Sequence, residues 1–543
     1  MKRFKLFLAM AALACAIGLT VKYGSTYRPV VEPVREIEEI WALEDAREES
    51  EEPLVTRLFC NGIPMAYDAE NNVFYGSLGL ENGAQWPEIK LTASEETAKG
   101  LSLCFADDYG FDDCDAAIRE GYSYQIFAYT DTAYSYAEVV FTGLPLVNVT
   151  ADQTIEREDV PAQIEIALAA EGLQTNGRIH KRGGASILND KVGYKLEFTR
   201  TTDGKKKIYR EIPGMGTDSQ VILLPMNALD TTMMRDRLSW ALYARLTRRD
   251  EPFSARKTQY CELFLNGEYR GVYLMLEPFS VRQEVAKAGE ERLTTDSVYR
   301  TAVISLSHGR PCMEDPYSAA TGFELYYPMD GEPDFSPLAD YFALLGETDD
   351  AAFMRRAAQI IDLDSALRYD VVLQLFGLTD NVINNMYTWA QNSRGHTRYR
   401  FDFWDLDVSW GLKRDEIGEM HENWVFFPLV DRLLRADEEG GVRQRYGEIY
   451  REVREKAFDT ETVEALVGQY AHELNDSGAM ARNAERWETE NYAADGYELV
   501  AFAAERIALL DEPVRAMSAG EEIDLRFLEK TNYDDKGTPL SEE

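Results

Sequence analysis

The chain has 543 residues, 45% hydrophobic and 11% aromatic, enough for sizeable cores in more than one domain and too apolar for a disordered chain. Its 95 acidic against 57 basic residues leave a formal charge of −38, which argues against nucleic acid or an anionic membrane surface as a partner. The charge serves solubility first, and it leaves a basic protein as a compatible client.

The N-terminus has the pattern of an export signal. Met1-Lys-Arg-Phe-Lys5 is basic and Leu6–Val21 is apolar, and that run falls short of the ~20 residues of a full span. Cleavage after Ala14 or Ala16, a lipoprotein at Cys15 and an uncleaved signal anchor stay open, although Leu13 stands one place too close to Cys15 for the usual lipobox. Each alternative puts the bulk of the chain outside the cytoplasm. Residues 1–30 are therefore assigned as signal peptide or membrane anchor, with membrane or cell-wall association through them. The Glu-dense stretch 31–53 is predicted to be an acidic spacer, either solvated or a single exposed helix.

Residues 54–149 are predicted to form a small all-β, sandwich-like domain. Runs such as Asn72-Val-Phe-Tyr-Gly76 and Ser123-Tyr-Gln-Ile-Phe-Ala-Tyr129 alternate apolar and polar residues between turn signals. Cys104 and Cys114 either close a small loop there or are buried thiols. Cys60, Cys104, Cys114, Cys261 and Cys312 contain no C-x-x-C pair, and the five histidines do not cluster at metal-ligand spacing. No G-x-S-x-G elbow supports a serine hydrolase.

A second unit is assigned to residues 150–520, followed by a polar tail at 521–543. It opens with strands around Gln163–Leu168 and then Gly177-Arg-Ile-His-Lys-Arg-Gly-Gly-Ala-Ser186, with a lysine-bearing strand at Lys191–Thr199. Glycines at Gly183 and Gly184 let backbone N–H groups approach phosphate, and a lysine can pair with it. A helix is expected over Asp230–Leu246, capped by Asp230 and with Arg235 and Asp236 in its early turns. Asn266-Gly267 between alternating runs marks a hairpin. The remainder is mainly helical: Asp364–Leu378, Phe427–Ala436, Gln444–Phe458, Thr460–Leu474 and Tyr497–Leu510.

One constellation in this unit carries chemistry. Asp380 follows a helix, Asn385 comes five residues later, and a hairpin leads to Asp405 and Asp407 in Trp404-Asp-Leu-Asp-Val-Ser-Trp-Gly411. Two carboxylates and an amide delivered by a hairpin suit metal-assisted phosphoryl transfer. One carboxylate orients the attacking hydroxyl, and the amide oxygen and the other carboxylate hold Mg²⁺ against a triphosphate. Asp405 and Asp407 as the metal pair of a hydrolase is an alternative.

Four ordered segments resemble the spore-coat protein H (CotH) kinase family. They are Arg182–Ser186 with its lysine strand, Leu224-Pro-Met-Asn…Met234-Arg-Asp-Arg-Leu238, Glu262–Tyr273, and Asp380…Gly411. The resemblance implies an α+β, bilobal, atypical protein-kinase-like fold behind the β-domain. It also implies ATP-dependent phosphorylation of protein serine or threonine with Mg²⁺ or Mn²⁺, on a basic or Ser-rich acceptor at the cell surface or spore coat. By this resemblance Asp380 is the catalytic aspartate, Asn385 and Asp405 hold the metal, and Asp407 assists. Lys191 and Lys195 compete for the phosphate, with Arg182 and Gly183 covering it. Gly184 and Ala185 replace the Asn and first Ser of the family's usual turn, which keeps open a surface-binding, adhesion or coat-type protein on a weakly catalytic scaffold.

Overall fold

Apolar alternation builds the first layers. In the computed structural model, which describes residues 29–80, 83, 89–94, 100–106, 113–183, 185–226, 230–302, 322–328, 334–412, 424–425 and 427–521, a seven-stranded sheet lies against a three-stranded one. Leu58 and Leu91 of the smaller sheet share a core with Phe74, Ile126 and Val139 of the larger. The acidic stretch 31–53 is folded into this unit rather than being a solvated spacer. Val31–Glu32 pairs with Ser102–Phe105, and Glu48–Glu49 pairs with Ala133–Thr142. Between them the helix Ile37–Asp45 buries Ile40 against Cys104 and Phe127. Two docking residues, Ile40 and the partly buried Leu43, leave little trace in the composition of a run of glutamates.

Cys104 packs beneath that helix, whereas Cys114 faces the core between the two sheets. Cys104 is a buried thiol, pushed up to about 11 by burial, and the Cys104–Cys114 bridge does not form.

The second unit starts at Leu146, a few residues before the expected boundary. Leu146–Thr150, Val160–Leu168, Glu171–Arg182, Gly193–Thr199, Gln220–Leu224, Glu268–Leu276 and Thr258–Leu265 form a closed barrel in that order. Parallel pairing of the first strand with Thr258–Leu265 closes the ring. Ile164, Ile179, Leu196, Phe198, Val221 and Leu263 fill it, and each such side chain contributes about 1.5–3 kcal/mol on burial. Closure depends on strands far apart in sequence, so local alternation showed a β-rich region and no barrel.

Beyond the barrel, Phe323–Tyr327, Ser297–Ala302, Asn384–Ser393 and His396–Phe403 form a four-stranded sheet in that order. Helix Leu363–Phe376 packs on the last strand of this sheet, and Pro428–Arg435, Gly441–Lys456 and Tyr497–Ser518 pack on that helix. Thr460–Asp476 packs on Tyr497–Ser518, and Ala479–Trp487 lies on the barrel strand Glu268–Leu276. The helix expected over Asp230–Leu246 is shorter, Arg235–Tyr243. Met234 rather than Asp230 is the N-cap residue, yet Asp230 still serves the helix start: its Oδ2 accepts the Arg235 amide at 3.2 Å, its Oδ1 accepts the Thr232 amide at 3.2 Å, and it pairs with Arg235. Leu363–Phe376 stops at Gly377, which adopts the left-handed conformation and donates its N–H to the Leu373 carbonyl. A Cβ there would meet Phe502 at 2.7 Å, so this stop requires glycine, and it aims Asp380 at the sheet. Among the described residues no helix is long and apolar enough to cross a membrane. Residues 1–28 of the proposed leader (1–30) and nearly all of the polar tail lie outside the described residues.

Candidate active site

The site is built on a crossover held by one amide. Asp380 opens the short helix Asp380–Ile383, and the strand Asn384–Ser393 follows directly. The fully buried Asn381 donates Nδ2–H to the Trp404 carbonyl at 2.7 Å, while the Trp404 amide donates to the Asn385 carbonyl at 3.1 Å. The start of one hairpin strand is thereby tied to the end of the other. Asn385 has φ +56° and Asp405 has φ +57°, a region that costs most side chains roughly 1–2 kcal/mol and that Asn and Asp tolerate best. Two strained positions at the mouths of paired strands turn both side chains out of the sheet's alternation.

These groups face a cleft of about 560 Å³ between the barrel end and the sheet. Asp380, Asn385, Asp405 and Asp407 all line it, so the structure brings the four sequence-selected oxygen donors together. Asp380 and Asn385 are buried, and Asn385 donates Nδ2–H to Asp380 Oδ2 at 2.8 Å. With its nitrogen committed to the carboxylate, the amide oxygen of Asn385 is left for another partner.

The Arg235–Tyr243 helix supplies the opposite wall. Asp236 accepts from the Leu406 amide at 3.3 Å. Burial first, and then the neighbouring Asp405, pushes its carboxyl up to about 8. Arg235 pairs with Asp230 and Glu498 and donates Nε–H to the Ser409 carbonyl at 3.2 Å. Trp410 Nε1–H reaches Ser239 Oγ at 2.9 Å. The Asp405–Trp410 segment is thus clamped to this helix at three points.

The phosphate-side residues divide. Arg182 and Gly183 line the cleft, with the Arg182 guanidinium 5.9 Å from the Trp404 ring centre. Neither lysine lines it. Lys191 turns to the outer side of the barrel, where Nζ donates to the Val272 carbonyl at 2.6 Å and Asn483 Oδ1 at 2.9 Å. The side chain is partly buried with its ammonium held by these two acceptors, and burial lowers it to about 7. Lys195 alternates with Tyr194 and Leu196, which fill the barrel, so it points outward beside Glu197 and Lys207. Arg300, paired with Glu324 at 2.8 Å, is the second cation of the cleft among the described residues. Sequence reasoning missed Arg300, which sits in no motif, and it placed Asp236 on a helix without seeing that the helix faces Asp405.

The donor chemistry fits a hard divalent cation. Carboxylate and amide oxygens line the cleft without a thiol or imidazole among the described residues, the set that suits Mg²⁺ or Mn²⁺. Among the described residues no three His, Cys, Asp or Glu side chains converge to hold an ion alone, so phosphate and water oxygens would complete the shell.

A family sequence model described as CotH kinase protein matches residues 179–510, from the barrel strand that carries Arg182 to the last helix. No curated protein matches the chain.

Proposed function

The chain belongs to the CotH kinase family, and on that premise we propose that it transfers the γ-phosphoryl group of ATP to a serine or threonine hydroxyl of a protein. The observation that carries this reading is the 2.8 Å bond from Asn385 to Asp380 inside the cleft that Asp405 also lines. Asp380, held in one orientation by that bond, accepts the proton of the acceptor hydroxyl as its oxygen bonds to the γ-phosphorus. The bond between that phosphorus and the β–γ bridging oxygen breaks, and ADP leaves. A positioned base of this kind contributes about 10²–10⁴-fold. Asn385 Oδ1 and Asp405, assisted by Asp407, would hold Mg²⁺ or Mn²⁺, whose charge would offset that of the phosphates. Arg182, Arg300 and the backbone at Gly183 receive the remaining phosphate oxygens.

We place the chain outside the cytoplasm, on the basic Met1–Lys5 and apolar Leu6–Val21 pattern, and a basic acceptor protein suits its net charge of −38. One observation favours a second reading. No lysine lines the cleft among the described residues, which suits a surface-binding or coat protein on a weakly catalytic scaffold.

The test is phosphate incorporation from γ-labelled ATP by the full chain, with Mg²⁺ or Mn²⁺ and a basic protein acceptor. Label that disappears in Asp380→Ala and Asp405→Ala supports the kinase reading. A folded wild type that transfers no label to several acceptors under either metal moves the assignment to the binding protein.

A further inference from the structure

Asp236 is the buried acid that the proposed reaction leaves unused. It is 6% exposed, lines the cleft, and comes from a helix remote in sequence from the hairpin. Its Oδ1 accepts the Leu406 amide at 3.3 Å, which seats it beside the backbone that links Asp405 to Asp407. Among the described residues no lysine, arginine or histidine forms an ion pair with Asp236, whereas the nearby Asp230 pairs with Arg235. Asp405, across the same wall, likewise has no ion pair among the described residues. Two carboxylates therefore face one polar cleft without a bonded counter-cation, and one of them is more than nine-tenths buried. Burying a carboxylate in this way is costly unless a cation or a proton accompanies it.

We propose that Asp236 and Asp405 jointly ligate a divalent cation, so that the wall formed by the Arg235–Tyr243 helix is part of the metal centre. This rests on the kinase reading for Asp405 and adds a ligand from outside the hairpin. Two protein oxygens leave the remaining positions to water and phosphate, as a small, reluctantly dehydrated cation prefers. The second contribution also ties the helix to the chemistry, because through Asp236 the barrel side of the cleft and the hairpin side grip the same ion. Mobility between the two walls would then fall when the ion binds.

The test uses Mn²⁺ alone, titrated into the full-length wild type, Asp236→Asn and Asp405→Asn, with free Mn²⁺ read by electron paramagnetic resonance. Asparagine keeps the shape and the acceptor for the Leu406 amide, so it removes the charge alone. Both variants are expected to weaken Mn²⁺ at least about tenfold. Wild-type affinity in Asp236→Asn, with loss in Asp405→Asn, overturns this inference and leaves the kinase reading standing. A wild type that takes up no Mn²⁺ overturns the inference, while the labelled-ATP assay judges the kinase reading separately. Should Asp236→Asn fail to fold, Fe²⁺ with ascorbate and peroxide is applied to the wild type, and backbone cuts are mapped by mass spectrometry. Cuts beside both Asp236 and Asp405 support the shared ion, and cuts beside Asp405 alone overturn it.

Discussion

Replacing Lys191 by methionine separates a structural lysine from a nucleotide-binding one. The ammonium is held against the Val272 carbonyl, Asn483 Oδ1 and the ring of Tyr273, whose centre lies 5.0 Å away. Burial lowers it from 10.5 to about 7. Between those values the unfolded chain binds a proton that the folded chain does not, so wild-type stability rises with pH across this window. From pH 6 to pH 9 the rise amounts to about 2–3 kcal/mol. Methionine fills the same volume without a titrating group, and Asn483 Oδ1 still accepts the Val272 amide at 3.0 Å. The stability of Lys191→Met relative to wild type should therefore fall by about 2–3 kcal/mol between pH 6 and pH 9. Paired urea unfolding curves read this difference, and other titrating groups cancel in the comparison. The same variant should keep the KM for ATP of the wild type, whereas Arg182→Met should raise it. A pH-independent stability difference would refute a buried ammonium. A large rise in KM with Lys191→Met would refute its placement away from the cleft.

Three further outcomes follow from other contacts. Glu262 is fully buried and held by Arg482 at 2.8 Å and by the Tyr269 hydroxyl at 2.7 Å, so Arg482→Leu should cost about 3–5 kcal/mol in urea unfolding. Adding Glu262→Gln should restore most of that loss, and a single variant as stable as wild type would sink the idea. Gly183 has φ +130°, and a Cβ there would clash with Ser186 Oγ. Gly183→Ala should raise the KM for ATP roughly tenfold through about 1–2 kcal/mol of strain. Adding Ser186→Ala should recover only part of this, because the backbone conformation remains unfavourable. Burial raises the Asp370 carboxyl from 3.8 to about 7, beside the Tyr446 hydroxyl at 2.8 Å. Its contribution is complete below pH 4 and is lost as pH rises through about 7, since the folded chain holds the extra proton in that window. Asp370→Asn should gain thermal stability relative to wild type between pH 5 and pH 8, and parallel melting profiles would contradict it.

What could be read from the chain was set by sequence distance. Asp380, Asn385, Asp405 and Asp407 are legible because one hairpin delivers them, and its turn at Arg394-Gly395 has positive φ at both residues, +54° and +81°. The helix before them was placed to within two residues, since Gly377 stops it. Alternation also put Lys195 on the face of Glu197. Which face looks into the cleft was not legible, because that depends on the barrel closing through Leu146–Thr150 and Thr258–Leu265. Closure turns both lysines away and leaves Arg182, at the end of its strand, to reach past Trp404. Asp236 shows the same limit from the other direction. Its place in the first helical turn was readable, but its chemistry comes from the Leu406 amide and from Asp405, both set by how the helix docks. A carboxylate in the first turn of a helix ordinarily serves that helix. Here the clamp from Arg235 to Ser409 and from Ser239 to Trp410 presses the turn against the hairpin, and the same carboxylate becomes part of the cleft wall.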